Sequence, residues 1–214
     1  MVHAPRSNFL YSDIASNILG HVIAQVSGEL FEAYVQNHIL DPLGFDQTTF
    51  LMPEEDDTLA IPHESGPTGE AVIAPAYPYN RIHAPSSGLV TSVDELLQWA
   101  LVGMNRGERD GVRVVSAEAY DEMWMPHAST GMAGWEHYGP AMSDYGLGWY
   151  LGTIGDQMVV EHMGGDLGFN SNMIFVPEKG LAVVAASNLY DGGGMAPAIL
   201  APIDIMYELL GVEE

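Results

Sequence analysis

The feature that most constrains this chain is a change of texture near Pro140. Before it, apolar residues recur with a helical period. After it come short runs rich in β-formers, at Gly146 to Leu151, Met158 to His162, Asn172 to Val176 and Leu181 to Ala186. Pro177-Glu178-Lys179-Gly180, between the last two runs, reads as a tight hairpin turn. Three or four antiparallel strands are expected. An apolar helix near 197 to 210 should close the chain, with Leu200, Ile203, Ile205, Met206 and Leu209 on its buried side and Gly211 ending it.

Ahead of the strands, Ile14, Ile18, Leu19, Val22, Ile23 and Val26 share a helical stripe, with Ser12 or Asp13 as N-cap and Gly28 just past the end. A second stripe, Leu30, Phe31, Tyr34, Val35, His38 and Ile39, should stop at Pro42 and complete a helical hairpin. Residues 52 to 88 are rich in Pro, Gly and acids without a steady period, which predicts a long surface excursion. Ser92 and Glu95 have capping-box spacing ahead of a third helix through Leu96, Leu97, Ala100, Leu101 and Met104, closed near Gly107. A short fourth helix starts after Ser116 and ends before Pro126. The fold class this predicts is α+β: a helical lobe, residues 1–140, packed on antiparallel strands and a C-terminal helix, residues 141–214. No internal repeat or low-complexity tract interrupts it.

Composition narrows the function classes. At 214 residues and 47% hydrophobic content the chain can bury a sizeable core. Six basic residues against 29 acidic ones give a net charge of −23, and Lys179 is the only lysine. Nucleic acid is a poor partner for such a surface. In molar salt the Debye length falls to about 3 Å and the self-repulsion is screened, so the balance predicts a protein adapted to a high-salt environment. No apolar run is long enough to span a bilayer and the N-terminus lacks signal-peptide character, which predicts a soluble chain with no membrane partner. With no cysteine, disulfides, thiolate metal sites and a Cys nucleophile are excluded. The histidines show no His-x-x-x-His or His-Glu-x-x-His pattern, so no metal is expected.

Two stretches carry the chemistry: Tyr11-Ser12-Asp13 at a helix start, and Glu161-His162-Met163-Gly164-Gly165-Asp166-Leu167-Gly168-Phe169 leaving a strand. Taken singly, the first is a capped helix start and the second a strand end with a glycine turn. Together with Asp41-Pro42-Leu43-Gly44, Ser87-Gly88-Leu89 and the final strand pair, in this order, they resemble the serine β-lactamase-like family of class C β-lactamases, DD-peptidases and β-lactamase-like esterases. The resemblance runs over nearly the whole chain.

It implies that Tyr11 matches the tyrosine of a Tyr-x-Asn element, which moves the proton between nucleophile and leaving group. The third residue of that element is here Asp13, a charge in place of an amide. His162-Met163-Gly164-Gly165 matches the His-x-Gly form of the element on the strand beside the site. The resemblance implies that His162 binds or orients substrate and that Gly164 and Gly165 let it approach the strand backbone, where an N–H can join an oxyanion hole. No cofactor is implied. The family's Ser-x-x-Lys nucleophile is absent: with Lys179 the only lysine, the serine would have to stand at 176, and that residue is Val176. Only ten residues precede Tyr11, so the sequence looks like the C-terminal part of such an enzyme, incomplete at its N-terminus.

Three readings share this ancestry. The chain is a serine hydrolase acting on a small-molecule ester, β-lactam or peptide-like ligand, with the serine supplied by a missing or separate segment. Alternatively it is a non-catalytic binding or vestigial β-lactamase-like protein, or a truncated product. Loss of the leading strands would leave an open sheet edge, which predicts a homo-oligomer.

Overall fold

The computed structural model describes residues 4, 8–50, 58–75, 81–131, 140–166, 168–190 and 197–212. Its centre is a six-stranded antiparallel sheet of order β10-β9-β8-β7-β6-β5, made from β5 (Ala128–Ser129), β6 (Ala141–Tyr145), β7 (Tyr150–Ile154), β8 (Gln157–Asp166), β9 (Phe169–Val176) and β10 (Leu181–Ser187). The sheet is larger than the sequence predicts. The run Gly146 to Leu151 is not one strand: Gly146 to Trp149 form the turn between β6 and β7, closed by the Gly146 N–H donating to the Trp149 carbonyl at 2.8 Å. β8 reaches beyond its predicted end to Asp166, paired residue by residue with β9 from Val160↔Phe175 to Asp166↔Phe169.

Strand alternation decides what each face buries. On one side Val159, Ile174 and Val176 meet Ile203 and Met206 of α7 (Pro197–Leu210). On the other side Val160, Met173 and Phe175 meet Ala100 of α5 (Val93–Met104), with Trp124 following α6 (Ala117–Met123). The sheet therefore has a helix layer on both faces. In α7 the buried side is Ala198, Ile199, Pro202, Ile203 and Met206, while Ile205 and Leu209 are exposed, which corrects the predicted face. The stripe has the expected period but is rotated, and Pro202 is itself buried within the helix.

The N-terminal layer holds α1 (Asp13–Ser27), α2 (Phe31–Val35), a π-helical turn Gln36–Leu40 and α3 (Asp41–Leu43). Ser12 is the cap of α1: its Oγ accepts from the Ala15 N–H at 3.3 Å. The apolar stripe of α1 does not face the protein. Ile14 is 71% exposed, Ile18 59% and Val26 83%. The buried residue is Gly20, where a Cβ would lie 2.1 Å from Pro85 Cγ of α4 (Ala84–Ser87), so the absent side chain lets the two helices cross. Pro42 does not stop the second helical stretch either, because it sits inside α3, and the chain turns at Gly44 in the left-handed region.

Residues 58–75 and 81–88 are more ordered than the predicted excursion. β1 (His63–Ser65) and β2 (Ala71–Ile73) form a hairpin, and β1 also pairs in parallel with β11 (Leu189–Tyr190), which follows β10; β3 (Glu108–Arg109) and β4 (Val112–Arg113) make a separate two-stranded ribbon after α5. Gly168 permits this junction: at φ 82°, a Cβ there would meet Pro62 Cβ at 2.1 Å. A polar chain with scattered apolar residues carries no period to reveal strands only three residues long. The predicted capping box ahead of α5 forms by half. Ser92 Oγ accepts from the Glu95 N–H at 3.2 Å, but the Glu95 carboxylate turns to the Gln47 N–H, at 3.0 and 3.1 Å, and to Thr48 Oγ1 at 2.5 Å. That carboxylate fastens the loop after α3 to α5. No helix among the described residues is long and apolar enough to cross a membrane.

Candidate functional site

The start of α1 and the second half of β8 meet. β7 pairs with β8 only from Ile154↔Gln157 to Tyr150↔Glu161, so from His162 onward the β7-side edge of β8 has no ladder partner among the described residues. The rings of Tyr11 and His162 lie 6.1 Å apart, centroid to centroid, across this notch. Three of the sequence candidates, Tyr11, Asp13 and His162, are thus brought together. Met163, Gly164 and Gly165 follow on the exposed end of the strand.

Gly164 and Gly165 also have a packing reason to be small. A Cβ on Gly165 would lie 2.7 Å from Asn170 Oδ1 and 3.0 Å from the Tyr190 ring, and one on Gly164 would lie 3.1 Å from Ser171 Oγ. The pair lets β9 and β11 close on β8 while leaving the other edge open.

Hydrogen bonds fix the His162 tautomer. Its Nδ1 is 2.8 Å from the Met163 carbonyl oxygen, which can only accept, so Nδ1 carries the proton. Nε2 is then the acceptor for the Tyr145 hydroxyl at 3.2 Å. Burial holds the imidazole below its usual pKa, opposed by the Met163 hydrogen bond and by the charge of Asp13, so the ring is neutral at pH 7. Tyr145 was not among the sequence candidates. It lies 17 positions from His162 in β6, and the alternation of a short strand says nothing about which ring will reach a given imidazole.

Around this pair stand Phe9, Tyr150 and Trp149. Tyr150 is 5.7 Å and Trp149 6.4 Å from the His162 ring, and Tyr145 packs edge-on to Tyr150 at 4.7 Å and against Phe9 at 4.8 Å. Burial raises the pKa of the Tyr11 phenol, helped by the nearby Asp13 carboxylate and by Tyr150. Tyr145 is raised for the same leading reason. All three phenols are therefore protonated at neutral pH, Tyr150 also being raised by burial.

Behind the site, on the α7 face, Glu161 is 1% exposed and accepts from Asn172 Nδ2 at 2.8 Å, while the same amide donates to the Ile199 carbonyl at 2.8 Å. Burial pushes the Glu161 carboxyl up to about 7, against the lowering effect of the Asn172 bond. This group was also missed, since a lone Glu in a strand reads as solvated. The Glu161-Asn172 bond ties β8 to β9, and Asn172 ties both to α7, one residue away from the site imidazole.

The histidine and two glycines of β8 thus stand beside a tyrosine one residue ahead of the Ser12 cap. A family model described as Beta-lactamase matches residues 1–201, and this chain belongs to that family, with a serine-hydrolase-like ancestry. It is similar to the octameric penicillin-binding protein homologue from Pyrococcus abyssi, with a TM-score of 0.81 and 26% identity over 99% of this chain and 45% of that one. It is 24% identical to a protein named Beta-lactamase from Pseudomonas fluorescens, over 86% of this chain and 56% of the relative. It is 26% identical to Protein flp of Staphylococcus aureus strain MW2, over 87% of this chain and 34% of that protein. The chain thus spans about half the length of these relatives, or less.

Proposed function

We propose that these residues form the tyrosine-and-strand side of a serine hydrolase that cleaves an ester or amide through an acyl-enzyme, and that the chain alone does not acylate. The observation that carries this reading is the meeting of Tyr11 with His162, far apart in sequence, at the open edge of β8. In this reading the substrate lies along that edge beside Gly164 and Gly165, with its carbonyl polarised by strand N–H groups, while His162 and Asp13 orient it. A serine from polypeptide outside these 214 residues attacks the carbonyl carbon. Its proton passes to a base on that polypeptide, and protonated Tyr11 gives its proton to the departing amine or alcohol. The Tyr11 phenolate then takes a proton from water, whose hydroxide attacks the acyl-serine carbonyl, and the departing serine oxygen regains the proton held by the base. The ligand class is a small ester, a β-lactam or a peptide-like amide.

The test is a fluorescent β-lactam and a phosphonate probe applied to the purified chain in multimolar KCl, read by intact mass, with the neutral amide N-acetylalaninamide titrated calorimetrically alongside. No covalent adduct together with saturable binding that His162→Ala abolishes is the expected result. An adduct would reveal a nucleophile within the chain and overturn the division of labour. Absence of any binding in a folded sample would favour a vestigial protein.

Two features of the surface belong to the same reading. β10 pairs only with β9 among the described residues, and an unpaired edge invites a further strand. We therefore propose a homo-oligomer that closes the sheet at β10, in keeping with the octameric relative. With a net charge of −23, that assembly and the fold itself would need high salt. A monomer by light scattering in KCl would count against the first, and unchanged circular dichroism on dialysis to low salt against the second.

A further inference from the structure

The charge of the site selects among its candidate ligands, an inference that rests on the hydrolase reading above. Asp13 stands at the first position of α1, two residues from Tyr11, and its charge acts on both the Tyr11 phenol and His162. The groups around it are neutral or carry negative π faces: Tyr11, Tyr145 and Tyr150 as phenols, Trp149, and an imidazole held uncharged. The basic residues that could compensate are paired or placed elsewhere. Arg81 pairs with Glu32 at 2.6 Å, Arg113 with Glu108 at 2.6 Å, and Arg106 with Asp121. Arg109 donates to the Leu43 carbonyl at 3.1 Å, and Lys179 lies in the turn that joins β9 to β10. Arg6 lies outside the described residues. Among the described residues the notch therefore carries a net negative charge beside aromatic rings.

That combination disfavours an anionic ligand and favours a cation. A carboxylate attracts an ammonium at contact distance, and an ammonium over an aromatic face gains further attraction from the ring quadrupole. The position also matters. Asp13 lies at the start of α1, on the same side of the notch as Tyr11, the proton donor to the leaving group, so the ammonium would sit close to the scissile carbonyl. We propose that Asp13 and the rings around His162 form a subsite for a protonated amine, and that the ligands of this chain are amino-bearing amides or esters in place of carboxylate-bearing ones.

The experiment compares three probes that share an alanyl core on the intact chain by calorimetry: alaninamide, whose amine is protonated, N-acetylalaninamide, which is neutral, and N-acetylalanine, which is an anion. Each is titrated in the lowest salt at which circular dichroism shows the chain folded, because screening weakens the effect. Alaninamide should bind about tenfold tighter than the neutral amide, and the anion weakest of all. Asp13→Asn should erase the preference, so that within that variant alaninamide binds no tighter than the neutral amide, and Ser12 remains to cap the helix. Tyr11→Phe keeps the ring and leaves the Asp13 carboxylate in place, so the preference should persist. Equal binding of cation and neutral amide, or tighter binding of the anion, overturns the cation subsite and leaves the hydrolase reading standing. If none of the three binds, the groove of the hydrolase reading fails and the subsite fails with it.

Discussion

α1 and α7 are of similar length, 15 and 14 residues, and both carry a long apolar stripe, yet they end in opposite circumstances. α7 lays Ile199, Ile203 and Met206 on the sheet and is sealed there. α1 turns Ile14, Ile18 and Val26 outward and touches its neighbour through Gly20. Amphipathic period forms both helices, since it needs only the local sequence. Burial depends on what the rest of the chain offers, and the described residues offer a sheet face to α7 but short helical pieces, α4, α2 and the turn Arg81–His83, to α1.

The largest effect expected from breaking this contrast is at α7. Met206 is fully buried between helix and sheet, so Met206→Ala should cost about 2–5 kcal/mol in a urea titration, through lost contacts and the cavity left behind. A cost below about 1 kcal/mol would mean that α7 is not held against the sheet in solution. Beneath the same helix, Glu161 should make stability depend on pH. Its folded pKa is raised by burial to about 7 from an ordinary value of 4.5, so between these values the folded state binds the extra proton. Stability is then fully present below about 4.5 and declines as pH rises to about 7, by on the order of 3 kcal/mol. Glu161→Gln keeps an acceptor for Asn172 and should flatten that decline. An unchanged slope in the variant would place the titration elsewhere.

The two helices also show what could be read without a structure. The α+β class, a cap at Ser12 or Asp13, the β9–β10 hairpin and the closing helix near 197 were legible, because each follows from local period or turn chemistry. The rotation of α7 was not, since exposed Ile205 and Leu209 are as apolar as buried Ile203. At the site, Tyr11 and His162 were found through the order of motifs. Tyr145 and Glu161 were missed because their roles come from cross-strand register and burial, which arise only once β6, β8 and β9 have paired. β1 and β2 were too short to show a strand period at all.

A smaller effect tests the close crossing on which α1 depends. Gly20→Ala gains helix propensity of up to about 1 kcal/mol but places a methyl 2.1 Å from Pro85 Cγ, an overlap expected to cost about 1–3 kcal/mol. The net result should be a loss of about 1 kcal/mol in thermal or urea unfolding, with the Asn17–His83 contact at 3.5 Å on the same helix face disturbed. A gain in stability would show that α1 can move off α4 without penalty.

The smallest effect should come from the exposed stripe itself. Ile18→Ser exchanges residues of similar helix propensity at a position 59% open to solvent, so the stability of the dilute chain should change by no more than about 0.5 kcal/mol. The same polar change at Ile203 would be far more costly, which is the sharpest statement of how the two helices differ. A loss above about 2 kcal/mol at Ile18 would mean that the stripe is covered in solution. Repeating the measurement across a hundredfold range of protein concentration then identifies the cover: a second copy makes the loss depend on concentration, while a contact within the chain does not.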